Sequence, residues 1–411
     1  MYCIKISKKS LFLFLLIFAF FEPTCISDLA NMQGGAIRWL HYIVAVLRYL
    51  GIIGLISIYV LYRNKLSKFI KYIFVIEFIY LLICFINNRS GIGSPDISTA
   101  LIAVTLSGCL DIFDREESNR ICNVLMIVFA ILIIINFISI IIFPYGMYTD
   151  TIRNFRDNYF LGFKNQHIYY FFSYIAFSSR NQFFSKRKGG FSYFNSFMYL
   201  IMFVSVLISK ATTDMIALGT IAVSMFLFKK RRPFNPIWIL GISMGLSFVL
   251  IASPFQNSIA TVLDTYFDKD GSLLHRISIW KMALLEIMKS PFSGNGNIDI
   301  PVNWTWNVGQ CHNKYLDLFF VGGIIYFACF TVMLVIVCRY AYLISKYTKF
   351  NHYVYLLYGY FIVYIVEANR TEFLSVIFFA LICNTKNRLE KMNQIKSGYK
   401  LKYKWGEKRI E

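Results

Sequence analysis

Charge is what this sequence has least of. Only 16% of its 411 residues are Asp, Glu, Lys or Arg, and just 22 are acidic. A soluble domain carries roughly a quarter of its residues charged, so an ordinary water-exposed globule is excluded. Metal-like cysteine spacing is absent too. Of nine cysteines, seven (Cys3, Cys84, Cys109, Cys122, Cys329, Cys338 and Cys383) fall in or beside apolar or inward-facing segments and read as small hydrophobes. Cys25 and Cys311 fall in outward segments, which leaves a disulfide between them open. The acidic group Asp111, Asp114, Glu116 and Glu117 reads as a solvated loop, because nothing nearby supplies divalent-cation ligand geometry. No metal and no cofactor is expected.

What the sequence does have is apolar length. It is 57% hydrophobic and 18% aromatic, with a mean hydropathy of +0.55, the balance of an integral membrane protein. Repeated apolar runs of about 17 to 25 residues fit helices crossing a hydrocarbon layer about 30 Å thick; barrel strands would alternate instead. The pattern predicts an all-α polytopic protein of about twelve transmembrane helices, at 10–21, 41–62, 69–87, 98–113, 120–143, 166–179, 191–209, 212–228, 236–253, 315–338, 352–366 and 371–384. One large external loop, 254–314, precedes the tenth helix. It is inserted in a membrane domain of residues 1–384, and residues 385–411 form a basic cytoplasmic tail. The formal net charge of +20 lies mostly in predicted inward loops and ends, including KKRR at 229–232 and KYKWGEKR in the tail. That bias places both termini in the cytoplasm. It also suits contact with anionic lipid rather than nucleic acid. The first run, KKSLFLFLLIFAFFEPTC, lacks a small-residue cleavage site and reads as an uncleaved helix.

Polar sequence gathers on the predicted outward side, in 144–165 and in the long loop. Within the loop, ISIWKMALLEIMK has Ile277, Trp280, Ala283, Leu284 and Ile287 on one helical face, an amphipathic helix against the membrane mouth. SPFSGNGN ends it through Pro291, Gly294 and Gly296. Arg276 sits at that helix's N-terminal end, where its charge gains nothing from the helix dipole; it either faces an anion or is solvated. His312 and Asn313 precede Tyr315, Leu316, Phe319 and Phe320, so an imidazole and a carboxamide sit at the start of an apolar helix. That imidazole can take a proton from a hydroxyl or donate to a phosphate oxygen, or the pair is an ordinary interface anchor. TIRNFRDN supplies Arg153 and Arg156, and Lys210 lies just outside a span. Several cations meeting at one mouth would suit a diphosphate. Inside the membrane, Arg48 and Glu77 lie in successive spans and are expected to pair.

From about 273 to 325 the sequence resembles the bacterial O-antigen polymerases and O-antigen ligases. The elements that carry the likeness are Arg276 with Trp280, the PFSGNG turn, His312-Asn313, Leu316 and Gly322. Earlier, NYFLGFKNQH is similar to a Gly-Phe and Asn segment of that family, which suggests Gly162, Phe163 and Asn165. ISKATTDMIAL is similar to a Ser-Arg segment, with Lys210 in the arginine position, a change that keeps charge and loses the guanidinium fork.

The resemblance implies a polytopic glycosyltransferase of the bacterial inner membrane that polymerises undecaprenyl-diphosphate-linked O-antigen repeat units at the periplasmic face. His312 would activate or orient the acceptor hydroxyl, or bind diphosphate, and Arg276 would stabilise the leaving diphosphate. Arg156, Lys210, Asn165, Asn313 and Arg153 would bind substrate. Expected partners are lipid-diphosphate-linked oligosaccharide and polysaccharide, a chain-length regulator and membrane lipids. Alternatives are an O-antigen ligase transferring glycan to lipid A-core, and a polysaccharide transporter or flippase, for which matching broken helices in two halves would be needed.

Overall fold

The computed structural model describes residues 14, 17–33, 35–61, 66–87, 94–113, 115–149, 157–185, 193–252, 272–303, 306–368 and 373–392. They form a helical bundle with two small hairpins. In chain order the helices are α1 (Thr24–Gln33), α2 (Gly35–Leu61), α3 (Lys68–Asn87), α4 (Ser94–Ile112), α5 (Arg115–Ile142), α6 (His167–Phe184), α7 (Tyr193–Ser209), α8 (Thr212–Leu227), α9 (Pro236–Ala252), α10 (Ser272–Lys289), α11 (Lys314–Thr348), α12 (His352–Val366) and α13 (Phe373–Lys391). The hairpins are β1 (Asn158–Tyr159) with β2 (Gly162–Phe163), and β3 (Ile300–Asn303) with β4 (Trp306–Val308), both antiparallel.

Among the described residues, four helices are long and apolar enough to cross a membrane, within Gly35–Gly54, Lys68–Asn87, Glu116–Ile142 and Lys314–Thr348. Shorter apolar helices occupy Ile97–Ile112, Tyr193–Ser209, Thr212–Leu227, Pro236–Ala252 and His352–Val366. The surface has the polarity of a membrane protein. Trp39, Phe226, Trp238 and Phe248 are each more than 70% exposed, whereas the centre is made by α6, α12 and α13, whose side chains are mostly buried. Tyr360 of α12 fixes that centre, its ring 4.6 Å from Phe172 of α6 and 5.3 Å from Phe378 of α13. Helices enclosed by other helices need no continuous apolar face toward lipid. That is why α6 and α13 carry Arg180, Asn181, Lys386 and Arg388 and yet lie in the middle of the bundle.

Three expectations change. Arg48 pairs with Glu22, not Glu77: its guanidinium contacts the Glu22 carboxylate and donates to the Ala19 carbonyl at 3.3 Å, and His41 Nδ1 lies 2.7 Å from the other Glu22 oxygen. Glu22 ends the first apolar run, so it reaches the depth of Arg48 on α2. Cys25 and Cys311 are both buried free thiols, and burial, reinforced by Asp28 and Glu22, pushes the Cys25 thiol up to about 12. Finally, α11 continues to Thr348, ten residues beyond its predicted end, and is broken at Gly323 (φ 59°, ψ −165°).

That break positions the loop beneath the site. Pro291 to Gly296 docks its backbone against the interrupted helix: Asn295 N donates to Phe320 O (2.8 Å), Gly296 N to Val321 O (2.9 Å) and Ile324 N to Pro291 O (2.9 Å). Carbonyls freed by a kink need such replacements away from water. Gly294 and Gly323 both have positive φ, and a Cβ on either would lie 2.3 Å from a backbone oxygen of the other segment.

Candidate active site

Four segments distant in the chain converge where α12 ends. The apolar face of α10, with Ile277, Trp280, Ala283 and Ile287 buried, packs against α11 and β3. This packing holds Arg276, one turn into the helix, at the bundle end. The indole N–H of Trp280 donates to Cys311 O (2.9 Å), and Cys311 N donates to Asp317 Oδ1 (3.0 Å). So fixed, the chain turns through His312 in a left-handed conformation (φ 49°), uncommon for a residue with a Cβ. Asn313 then caps α11. Its Oδ1 accepts from Leu316 N (3.0 Å) and its Nδ2 donates to Ile365 O (2.8 Å).

The fourth segment begins at the first hairpin. Asn136 Oδ1 accepts from Leu161 N (2.9 Å), and Cys25 N at the start of α1 donates to Phe160 O (3.3 Å). Gly162 has φ 97°, and a Cβ there would stand 2.9 Å from Gln166 Oε1. This tight turn presents Asn165 toward the end of α12.

All of them meet on Glu367, the residue that ends α12. Its Oε1 accepts from Asn165 Nδ2 (2.7 Å) and Arg276 Nη2 (2.9 Å), and its Oε2 lies 3.2 Å from His312 Nδ1. Arg276 Nη1 donates to Val366 O as well. The Glu367 side chain is 6% exposed, whereas Arg276 and His312 keep 16% and 19%. Burial alone would raise the Glu367 pKa; the Arg276 charge and the hydrogen bond and charge of His312 outweigh it and hold the carboxyl at about 2. Glu367 is therefore an ionised hub, saturated by protein donors. Arg276 and His312 are its partly exposed outer groups. A carboxylate at Nδ1 fixes the proton there in the neutral ring, leaving the lone pair on Nε2.

The structure thus brings together Arg276, His312 and Asn165. Asn313 stands beside them with both ends of its amide engaged by backbone and no exposed surface, which makes it a positioning group. Lys210, also left-handed (φ 52°), is exposed in the turn between α7 and α8. Asp214, four residues on, is fully buried within electrostatic range of Glu367, which puts this turn at the same end of the bundle. Arg153 and Arg156 lie outside the described residues. The residue that sequence reasoning missed is Glu367. Its only signal is a lone carboxylate after fourteen apolar or aromatic residues, in VYIVEANR. A groove of about 260 Å³ between α6, α7 and α8 is lined by apolar and aromatic side chains, among them Ile175, Tyr199, Phe203, Leu218 and Met225.

An all-α membrane protein with an arginine–histidine–carboxylate cluster at one end of its bundle is the class these features define. Residues 197–331 match the model of a family described as O-antigen ligase, consistent with an O-antigen polymerase/ligase family membrane protein. The matched segment contains Lys210, Arg276, His312 and Asn313, and stops short of Asn165 on one side and Glu367 on the other. No curated protein matches the chain.

Proposed function

We propose that the protein polymerises undecaprenyl-diphosphate-linked O-antigen repeat units by glycosyl transfer at the periplasmic face of the inner membrane. The observation that carries this reading is the gathering of Arg276, His312 and Asn165 on one buried, ionised carboxylate. An acceptor sugar hydroxyl gives its proton to His312 Nε2 as its oxygen bonds to the anomeric carbon of the donor glycan. The bond from that carbon to the diphosphate oxygen breaks, and its electron pair leaves on the diphosphate. Glu367 keeps the imidazole in the required tautomer and stabilises the imidazolium that forms. Arg276 spends two of its five N–H donors on Val366 and Glu367, so three remain for phosphate oxygens. Lys210, Arg153 and Arg156 add positive charge toward the leaving group. The apolar groove suits a prenyl chain.

A ligase reading uses the same leaving group and the same residues and differs in the acceptor, lipid A-core. The matched family model fits both readings. The two separate in one experiment: the length distribution of lipopolysaccharide from a deletion strain, with and without the restored gene, beside the pool of undecaprenyl-linked glycan. Lipid A-core capped with single repeats, and no long ladder, is the result expected of a lost polymerase. Uncapped core with long lipid-linked chains accumulating would make the protein a ligase. Unchanged glycans in the deletion strain would remove both readings.

A further inference from the structure

The chain builds the same carboxylate hub twice. Glu22 sits between the first apolar run and α1, and α2 brings two partners to it. Arg48 Nη2 donates to its Oε2, and His41 Nδ1 lies 2.7 Å from its Oε1. Arg48 also donates through Nε to Ala19 O (3.3 Å). Around Glu367 the pattern is the same: an arginine gives one N–H to a carboxylate oxygen and another to a backbone carbonyl, and a histidine Nδ1 meets the second oxygen. Exposure matches as well. The Glu22 and Glu367 side chains keep 5% and 6%, Arg48 and Arg276 keep 16% each, and His41 and His312 keep 28% and 19%.

The two hubs stand at the same end of the bundle. Just after Glu22, Thr24 Oγ1 donates to Leu161 O (3.2 Å) and Cys25 N to Phe160 O (3.3 Å), in the hairpin that carries Asn165 to Glu367. Just before Glu22, the Phe21 ring lies 5.7 Å from that of Phe373, where α13 begins. His41 and Arg48 are two turns apart on one side of α2, and Arg38 precedes them on that side. On the adjoining side Tyr42, Val46, Tyr49 and Ile53 are exposed. A guanidinium tied to both a carboxylate and a carbonyl cannot swing away, so its fork is preorganised for phosphate oxygens. The apolar strip beside it can carry a hydrocarbon chain.

Glycosyl transfer between two lipid-diphosphates needs two such places. The donor's diphosphate leaves beside Arg276, whereas the acceptor's stays on its lipid and has to be held while its sugar reaches His312. We propose that Arg48, with Arg38 and His41, binds the diphosphate of the acceptor lipid, whose prenyl chain lies along the exposed side of α2. This assignment rests on the glycosyl-transfer reading of the Glu367 site. No bond is made or broken at Glu22; its hub holds one substrate while the other hub does the chemistry.

The test counts bound lipids. Purified full-length protein is loaded with undecaprenyl diphosphate and weighed by native mass spectrometry, with phosphatidylglycerol as competitor. The expected result is two undecaprenyl diphosphates per wild-type chain and one in each of Arg48→Gln and Arg276→Gln, with phosphatidylglycerol displacing neither. Two molecules still bound to Arg48→Gln overturn the proposal. So does a single wild-type molecule that Arg276→Gln loses and Arg48→Gln keeps; both results leave the Glu367 reading standing. A second molecule that phosphatidylglycerol displaces makes this corner a general anionic-lipid site and overturns the acceptor assignment. A wild type that binds none removes the proposal together with the reading it rests on. Should Arg48→Gln fail to fold, Arg48→Lys decides, because it keeps the ion pair with Glu22 and loses the fork. Its second molecule should bind several-fold more weakly with the first unaffected, and unchanged binding of both overturns the proposal.

Discussion

At the scale of single residues, the site depends on one carboxylate that serves three donors. Glu367→Ala leaves Arg276 without its counter-charge, and breaking a buried pair in this way costs about 3–5 kcal/mol. Because Arg276 keeps 16% exposure, the lower end of that range is expected, read as a fall in unfolding midpoint in detergent, together with loss of the long glycan ladder. The pH dependence follows from the depressed pKa. Glu367 is ordinarily half-protonated near 4.5 and here near 2, so the unfolded chain binds the proton more readily. Its contribution to stability is complete above about 4.5 and is lost as the pH falls through about 2. In the Glu367→Gln variant that part of the acid transition should vanish; an unchanged acid limb would mean that another group governs it. His312 offers a cleaner separation of chemistry from folding. Its left-handed backbone suits glycine, so His312→Gly should unfold no lower than His312→Ala, with glycan extension abolished in both at unchanged abundance. Full extension in either variant would leave the proton without its proposed acceptor. Little of this cluster was visible in the sequence. Arg276 and His312 stood out one at a time, by their place beside apolar runs, and Asn165 only through the resemblance of its segment. Glu367 lies 55 positions from His312 and 202 from Asn165, and nothing local distinguishes it from an ordinary acid at a helix end.

At the scale of elements, the bundle holds the site through a broken helix and the turn docked in the break. Gly294→Ala or Gly323→Ala would force a Cβ to within 2.3 Å of a backbone oxygen in a conformation L side chains avoid. Left-handed backbone alone costs roughly 1–2 kcal/mol, and the clash adds to it. These variants should be strongly destabilised, and their activity should fall further than stability explains, because the same turn carries α10 and therefore Arg276. Gly219→Ala and Gly245→Ala serve as controls: both sit in helices with nothing within 4 Å of the added carbon. They should be neutral or gain about 0.5–1 kcal/mol from helix propensity. Comparable losses in all four variants, measured by thermal unfolding, would show that the docked turn has no special weight. The turn itself was legible, because Pro291, Gly294 and Gly296 follow an amphipathic run. The break in α11 was not. GGIIYFACF reads as an uninterrupted apolar helix, and only the backbone donors of residues 295 and 296, brought in from another segment, make the interruption affordable.

At the scale of the whole molecule, Arg180 and Arg388 stand near the C-terminal ends of α6 and α13, and Glu367 with its partners at the opposite end of the same bundle, and that arrangement bears on orientation. Apolar runs showed at once that the protein is helical and membrane-embedded, since hydrophobic length survives any detail of packing. They were poorer guides to which helices face lipid. α6 and α13, the more polar ones, occupy the centre, while α2, with its Trp39 71% exposed, lies at the rim. Orientation rests on the positive-inside bias, which predicts the Arg180 and Arg388 end, together with Lys229 to Arg232, to be cytoplasmic and the Glu367 end periplasmic. Two introduced thiols test this directly. Lys281 lies on the exposed side of α10 and Lys230 in the exposed turn between α8 and α9. The described native cysteines are buried, apart from the half-buried Cys329, and give little background. In cells with a permeable outer membrane and an intact inner one, a membrane-impermeant maleimide should label Lys281→Cys, and label Lys230→Cys only after the inner membrane is opened. The reverse pattern would place His312 on the cytoplasmic face. Glycosyl transfer would then face the compartment where nucleotide-activated sugars are made, and a periplasmic polymerase would be untenable whatever the geometry around Glu367.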